Sequence, residues 1–143
     1  ASYDELIAYR SRVADLVEAS LSLLGEDALL AVLGDVPADA CFDVLSRVGM
    51  SLRRHTITGG ALAALCDAAL QIVTDIAQQR QQEPRKWIGT CRSAFHFLAI
   101  VAERLDVRTP PCAAAALSAL ADPDTPPTVC DAAVRCLLGV STS

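Results

Sequence analysis

The side chains best suited to metal binding or nucleophilic chemistry in this chain are six cysteines and two histidines. The cysteines stand at 41, 66, 91, 112, 130 and 136, mostly inside apolar stretches of helical period rather than in loops. No CxxC occurs, and only His55 and His96 could add imidazole ligands, so spacing and ligand number both fall short of a structural zinc site. No metal and no cofactor is implied. We read the thiols as reduced and packed in a core, which suits a cytoplasmic protein. The alternative is a secreted, disulfide-linked helical domain, because an even cysteine count in a short chain suits a disulfide framework. The best nucleophile–base pairing is Cys91 with His96, but five residues on one helix set them about 140° apart, beyond hydrogen-bond reach. GxSxG, HExxH, a phosphate loop and GxGxxG do not occur, and no close carboxylate pair suggests a catalytic dyad. We expect no enzyme.

The elements that would carry these residues follow from composition and period. With 143 residues, 52% of them hydrophobic and 20% charged, the chain has ample apolar surface for one packed domain spanning 1–143. The formal net charge is −5 and no basic run exceeds Arg53-Arg54, which argues against a nucleic-acid or anionic-membrane surface. The expected partner is a protein. Eleven arginines stand against a single lysine, Lys86, a bias that often marks a GC-rich coding genome. The longest charge-free apolar stretches, 93–102 and 109–121, are too short to cross a bilayer, so no transmembrane segment is expected.

Helical period runs throughout, with no alternating stretch long enough for a strand, so the fold class is all-α. Ser2 and Glu5 form a capping box before a stripe of Leu6, Tyr9, Val13, Leu16, Val17, Ser20 and Leu24, which predicts a helix over 3–24 stopped at Gly25. Residues 26–33 can make two turns. Pro37 suits the first turn of a helix over 38–55 that carries Cys41, Val44, Leu45, Val48 and Leu52 on one face. Thr56 or Thr58 can cap a helix over 58–77, which then dissolves into the run Gln78-Gln79-Arg80-Gln81-Gln82, read as a solvated helix end and loop. From Trp87 to Leu105 apolar groups occupy nearly every face, and such a helix belongs in the middle of its domain. Two shorter helices, 112–120 and 129–138, each follow a Thr-Pro-Pro unit in which Thr can cap and Pro fits the first turn, with Thr128 and Asp131 as a second possible box and Gly139 as a stop. The result is a bundle of about six to seven helices around a central apolar one. The doubled Thr-Pro-Pro unit also admits a HEAT-like scaffold or adaptor, although two copies are fewer than such repeats need.

Two motifs carry a family resemblance. Leu45-Ser46-Arg47-Val48-Gly49-Met50-Ser51-Leu52-Arg53-Arg54 resembles a BH3 segment, with Leu45, Val48, Gly49 and Leu52 in place and Met50 where the pattern has Asp. Lys86-Trp87-Ile88-Gly89-Thr90-Cys91-Arg92 is similar to a BH1 motif at the entry to the central helix, with Ile88 inserted and Arg92 three residues after Gly89 instead of directly following it. Together with the order of elements, these motifs resemble the Bcl-2 family, in its divergent viral type. The resemblance implies a non-enzymatic module that modulates apoptosis or innate immune signalling by binding host proteins or their helical peptides. Its groove would form between helices 38–55, 58–77 and 85–105. Leu45, Val48, Leu52, Leu62, Leu65, Leu70 and Val73 are candidates for groove or core, with Gly49, Trp87 and Gly89 at the motifs and Arg92 as partner for a ligand acid. Homodimerisation through the groove is a further use that the resemblance allows.

Overall fold

A computed structural model describes residues 2–24, 36–48 and 60–142, apart from the side chains of 18, 20–24, 48 and 60–62. Its described elements are helical, as the period requires. The first helix, α1 (Tyr3–Leu24), opens as the capping box predicts: the Ser2 hydroxyl accepts the Glu5 N–H at 3.1 Å. Its buried line, however, differs from the sequence stripe. Ala14 and Val17 are buried and Val13 is partly buried, while Tyr9 and Leu16 remain 59% and 68% exposed. The cause is Arg10, which turns inward to reach two aspartates of the next described helix.

That helix, α2 (Ala38–Val48), starts one residue after Pro37, whose carbonyl accepts the Cys41 N–H at 2.9 Å. All five residues from Cys41 to Leu45 are buried, Asp43 included. Next comes α3 (Gly60–Thr74), then a break at Asp75, then α4 (Ile76–Gln82). The glutamine run is therefore helix, not loop. Asp75 makes it so: its carboxylate accepts the Gln78 N–H at 3.1 Å and caps a new first turn. No residue of α4 is buried, which agrees with a solvated segment.

Helix α5 (Trp87–Ile100) is the middle of the bundle and packs against α2, α3, α4 and the last helix. Trp87, Cys91, Ala94, Phe95, Phe97 and Leu98 are buried, and the rings of Phe97 and Phe42 lie 5.2 Å apart in a tilted pair. It ends earlier than its apolar pattern suggests. Two 3-10 turns, Ala102–Arg104 and Asp106–Arg108, replace the expected run to 105, and Asp106 adopts φ 52° to turn the chain. Leu105 is still fully buried.

The final pair is α6 (Thr109–Ala121) and α7 (Pro127–Ser141), which pack on each other; α6 also meets α3, and α7 meets α5. Neither Thr109 nor Thr125 caps. Arg108 and Pro126 hold the capping positions, neither giving a side-chain bond, and prolines occupy the first turns. Nor do Thr128 and Asp131 form a capping box, because the helix has already begun at Pro127. Gly139 does not stop α7. It lies inside the helix at a close crossing, where an added Cβ would stand 3.2 Å from the Ala102 Cβ and 3.3 Å from the Ala99 carbonyl oxygen. A glycine that reads as a helix stop is here a contact surface. Outside the described residues lie the expected short helix at 26–33, the stop at Gly25 and the second half of the 38–55 helix, with Gly49 and Leu52. The capping threonines 56 and 58 lie there too.

Because Phe97 is fully buried and paired with Phe42, Phe97→Ala should lower unfolding free energy by about 3–5 kcal/mol. Urea denaturation of the variant checks this, and a loss under about 1 kcal/mol would mean that the ring is not a core element.

Candidate functional site

One edge of α5 escapes burial. Ile88, Arg92 and His96 follow one another at four-residue intervals, so they share a face, with Ile88 40% exposed and the other two half-buried. The charges that act on His96 come from Arg92 on α5, Arg135 on α7, and Asp43 and Arg47 on α2. The open edge therefore runs between α2 and α7. Among the described residues neither Arg92 nor Arg135 makes an ion pair, and the Nε of Arg92 is buried with no hydrogen-bond partner. Burial first, and then the guanidinium charges of Arg92 and Arg135, hold the His96 imidazole below its ordinary 6.5; Asp43 opposes them and Arg47 adds to them. At neutral pH the edge presents cationic guanidinium groups beside an uncharged ring.

A polar seam fixes the α2 side of this edge. Arg10 Nη1 donates to Asp43 Oδ2 at 2.8 Å, and its Nη2 stands 3.6 Å from Asp39 Oδ2. Arg47 Nε meets the other Asp43 oxygen at 3.2 Å, and its Nη1 donates to the Ser11 hydroxyl at 3.3 Å. From α5, the buried Ser93 hydroxyl donates to Asp39 Oδ1 at 2.7 Å. Gly89 belongs to the same seam: a Cβ there would come within 3.1 Å of Asp39 Oδ2, so its lack of a side chain gives the carboxylate room. Asp39 and Asp43, one turn apart, thus tie three helices together.

The residues nominated from sequence have different fates. Leu45 and Val73 are buried in the core, where no partner reaches them, and Leu65 and Leu70 pack partly buried against it. Val48 and Leu62 lie in α2 and α3 with side chains outside the described set, and Gly49 and Leu52 lie outside it altogether. Trp87 is buried beneath α4, with the Arg80 guanidinium 4.5 Å above its ring. Of the set, Arg92 and Gly89 come to the open edge. Sequence reasoning missed Arg10, Asp39, Asp43, Ser93 and Arg135. A signal was present for one of them: Asp43 sits inside Phe42-Asp43-Val44-Leu45, and a carboxylate within an apolar run needs a cation if the run is buried.

A second feature is a cavity of about 230 Å³ between α3, α4 and α6, bordered by Val73, Asp75, Arg80, Ser118 and Asp122. It is smaller than most ligand sites, its guanidinium is already stacked on Trp87, and its two carboxylates already accept the Gln78 and Asp124 N–H groups. Among the described residues no group of three or more His, Cys, Asp or Glu could hold a metal ion, and no helix is long and apolar enough to cross a membrane. Compared with protein families, with curated proteins and with solved structures, the chain matches none.

Two outcomes follow from this geometry. Asp43→Ala strips both Arg10 and Arg47 of their carboxylate and should cost about 2–4 kcal/mol by urea denaturation, with Asp43→Asn milder because shape and one acceptor survive. For His96 the folded chain holds the proton more weakly than the unfolded chain. As pH falls below 6.5 the unfolded state protonates first, so stability is lost downward from that point until the folded ring titrates too. The His96→Gln variant should show a flatter fall in stability between about pH 7 and 5. An NMR titration of the wild-type ring should place its midpoint below 6.5; a midpoint above it would reverse the sign.

Proposed function

We propose that this chain is a non-enzymatic protein-interaction module that seats an acidic helical segment of a partner along the open edge of α5. The observation that carries the reading is Arg92: it stands mid-edge, makes no ion pair among the described residues and leaves a buried Nε without a partner. A carboxylate offered by a partner would pair with the uncompensated guanidinium charge of half-buried Arg92, while Ile88 supplies adjacent apolar contact. The fold class and the central position of α5 are compatible with the Bcl-2-like reading, in which a viral-type protein modulates apoptosis or innate signalling in the host cytoplasm. That reading rests on the motifs at 45–54 and 86–92, and the edge proposed here lies on the α7 side of α2 instead of between α2 and α3.

A second reading, a helical scaffold or adaptor, is favoured by α7, where Val134 and Leu138 stand exposed one turn apart. Calorimetric titration with helical peptides of the Leu-x-x-x-Gly-Asp pattern separates the two. Micromolar binding is expected, weakened roughly 10- to 100-fold by Arg92→Ala, since hydrogen bonds to charged groups contribute about 1.5–3 kcal/mol. Silence from every such peptide removes the Bcl-2-like reading in which the chain captures such helices. Concentration-dependent self-association on size exclusion, abolished by Leu138→Glu, would favour the scaffold.

A further inference from the structure

Cys112 and Cys136 lie 24 positions apart in sequence, yet their sulfurs meet inside the α6–α7 pair at 3.3 Å, and both side chains are fully buried. The surrounding buried groups are small, Ala115, Ala116 and Ala119 from α6 with Val129, Ala132 and Ala133 from α7, so the two backbones can approach closely. A disulfide bond is about 2.05 Å long, so the two sulfurs must approach by only roughly another 1 Å to bond. We propose that Cys112 and Cys136 are an oxidisable dithiol that a hydroperoxide converts into a disulfide, locking α6 to α7.

The step balances without further reactants. When the α6–α7 pair opens transiently and admits the peroxide, the Cys112 sulfur attacks one of its oxygens and the O–O bond breaks. The thiol proton leaves with the departing oxygen as water, and Cys112 becomes a sulfenic acid. Cys136 sulfur then displaces the sulfenic hydroxyl, which departs as a second water with the Cys136 proton. Two thiols are oxidised by two electrons in all, and one hydrogen peroxide is reduced to two waters.

Three observations set this pair apart from the other thiols. The contact between the two sulfurs holds the Cys112 thiol below the usual thiol range against the effect of burial, while Cys136 is pushed up. Burial pushes Cys41, Cys66 and Cys91 up to about 11, which keeps them as unreactive thiols. Cys130, half-buried, donates to the Thr125 carbonyl at 3.6 Å and has no sulfur against it among the described residues. Cys66 lies near enough for the charge on Cys112 to act on it, so the test must tell a 112–136 bond from one to Cys66.

The test is to treat the folded chain with hydrogen peroxide, quench with catalase, then denature in an alkylating reagent and map peptides by mass. A bond between 112 and 136 is expected, leaving four alkylated cysteines of the six in the chain. The midpoint of thermal unfolding should rise by roughly 5–10 °C and fall back with dithiothreitol, because the bond constrains the unfolded chain. Cys112→Ser and Cys136→Ser should each abolish both effects. If circular dichroism shows either variant unfolded, the wild-type peptide map alone decides. A Cys66–Cys112 bond, a sulfinic acid at Cys112, or oxidation confined to Cys130 would each overturn the proposal.

Discussion

The burial of α5 is the constraint on which the rest depends. Its apolar surface is too wide for one neighbour, so four helices converge on it, and their crossings fix where every other side chain can go. Only 4% of the residues are aromatic, so large rings cannot fill the gaps between helices. The chain compensates with small residues. Alanines let α6 and α7 close on each other, and Gly139 brings α7 onto the end of α5. Density comes from backbones drawn together more than from side-chain bulk, and such an interior tolerates added volume poorly.

The polar seam at α1, α2 and α5 does a different job. Buried or half-buried ion pairs add little net stability over an apolar packing of equal volume, since desolvation offsets their attraction. What Arg10, Asp39, Asp43 and Ser93 supply is geometry. Apolar stripes slide and rotate against one another with modest penalty, whereas a carboxylate held by two arginines accepts one arrangement. Here that arrangement rotates α1 away from its apolar stripe and leaves Tyr9 and Leu16 in water. The same seam holds the α2 border of the edge where Arg92 stands.

Sequence reasoning reads well where one physical effect dominates and poorly where two compete. The all-α class, the capped start of α1, the central apolar helix and the burial of Cys41, Val44 and Leu45 on α2 follow from period and capping alone. Gly139 misleads because glycine serves both as a helix terminator and as a site of close approach, and only the neighbouring helix decides which. The glutamine run misleads because polar composition says nothing about helix propensity, in which glutamine is good, and Asp75 supplies the missing start. The buried face of α1 misleads because Arg10 answers to carboxylates on another helix, at Asp39 and Asp43. For the candidate site, Arg92 is legible as a cation on an apolar helix. Its neighbour Arg135 is not, because nothing local in the sequence brings α7 beside α5.

The stacking of Arg80 on Trp87 has a practical consequence. Trp87 is the only tryptophan, and it joins the solvated helix α4 to the buried start of α5. Its fluorescence therefore reports on one junction of the molecule. While the guanidinium covers the ring, the indole is shielded from water and emits toward the blue; when α4 lifts, emission shifts red before the interior around Phe97 need open. The protein thus carries an optical gauge that can distinguish fraying at its glutamine-rich helix from collapse of the whole bundle.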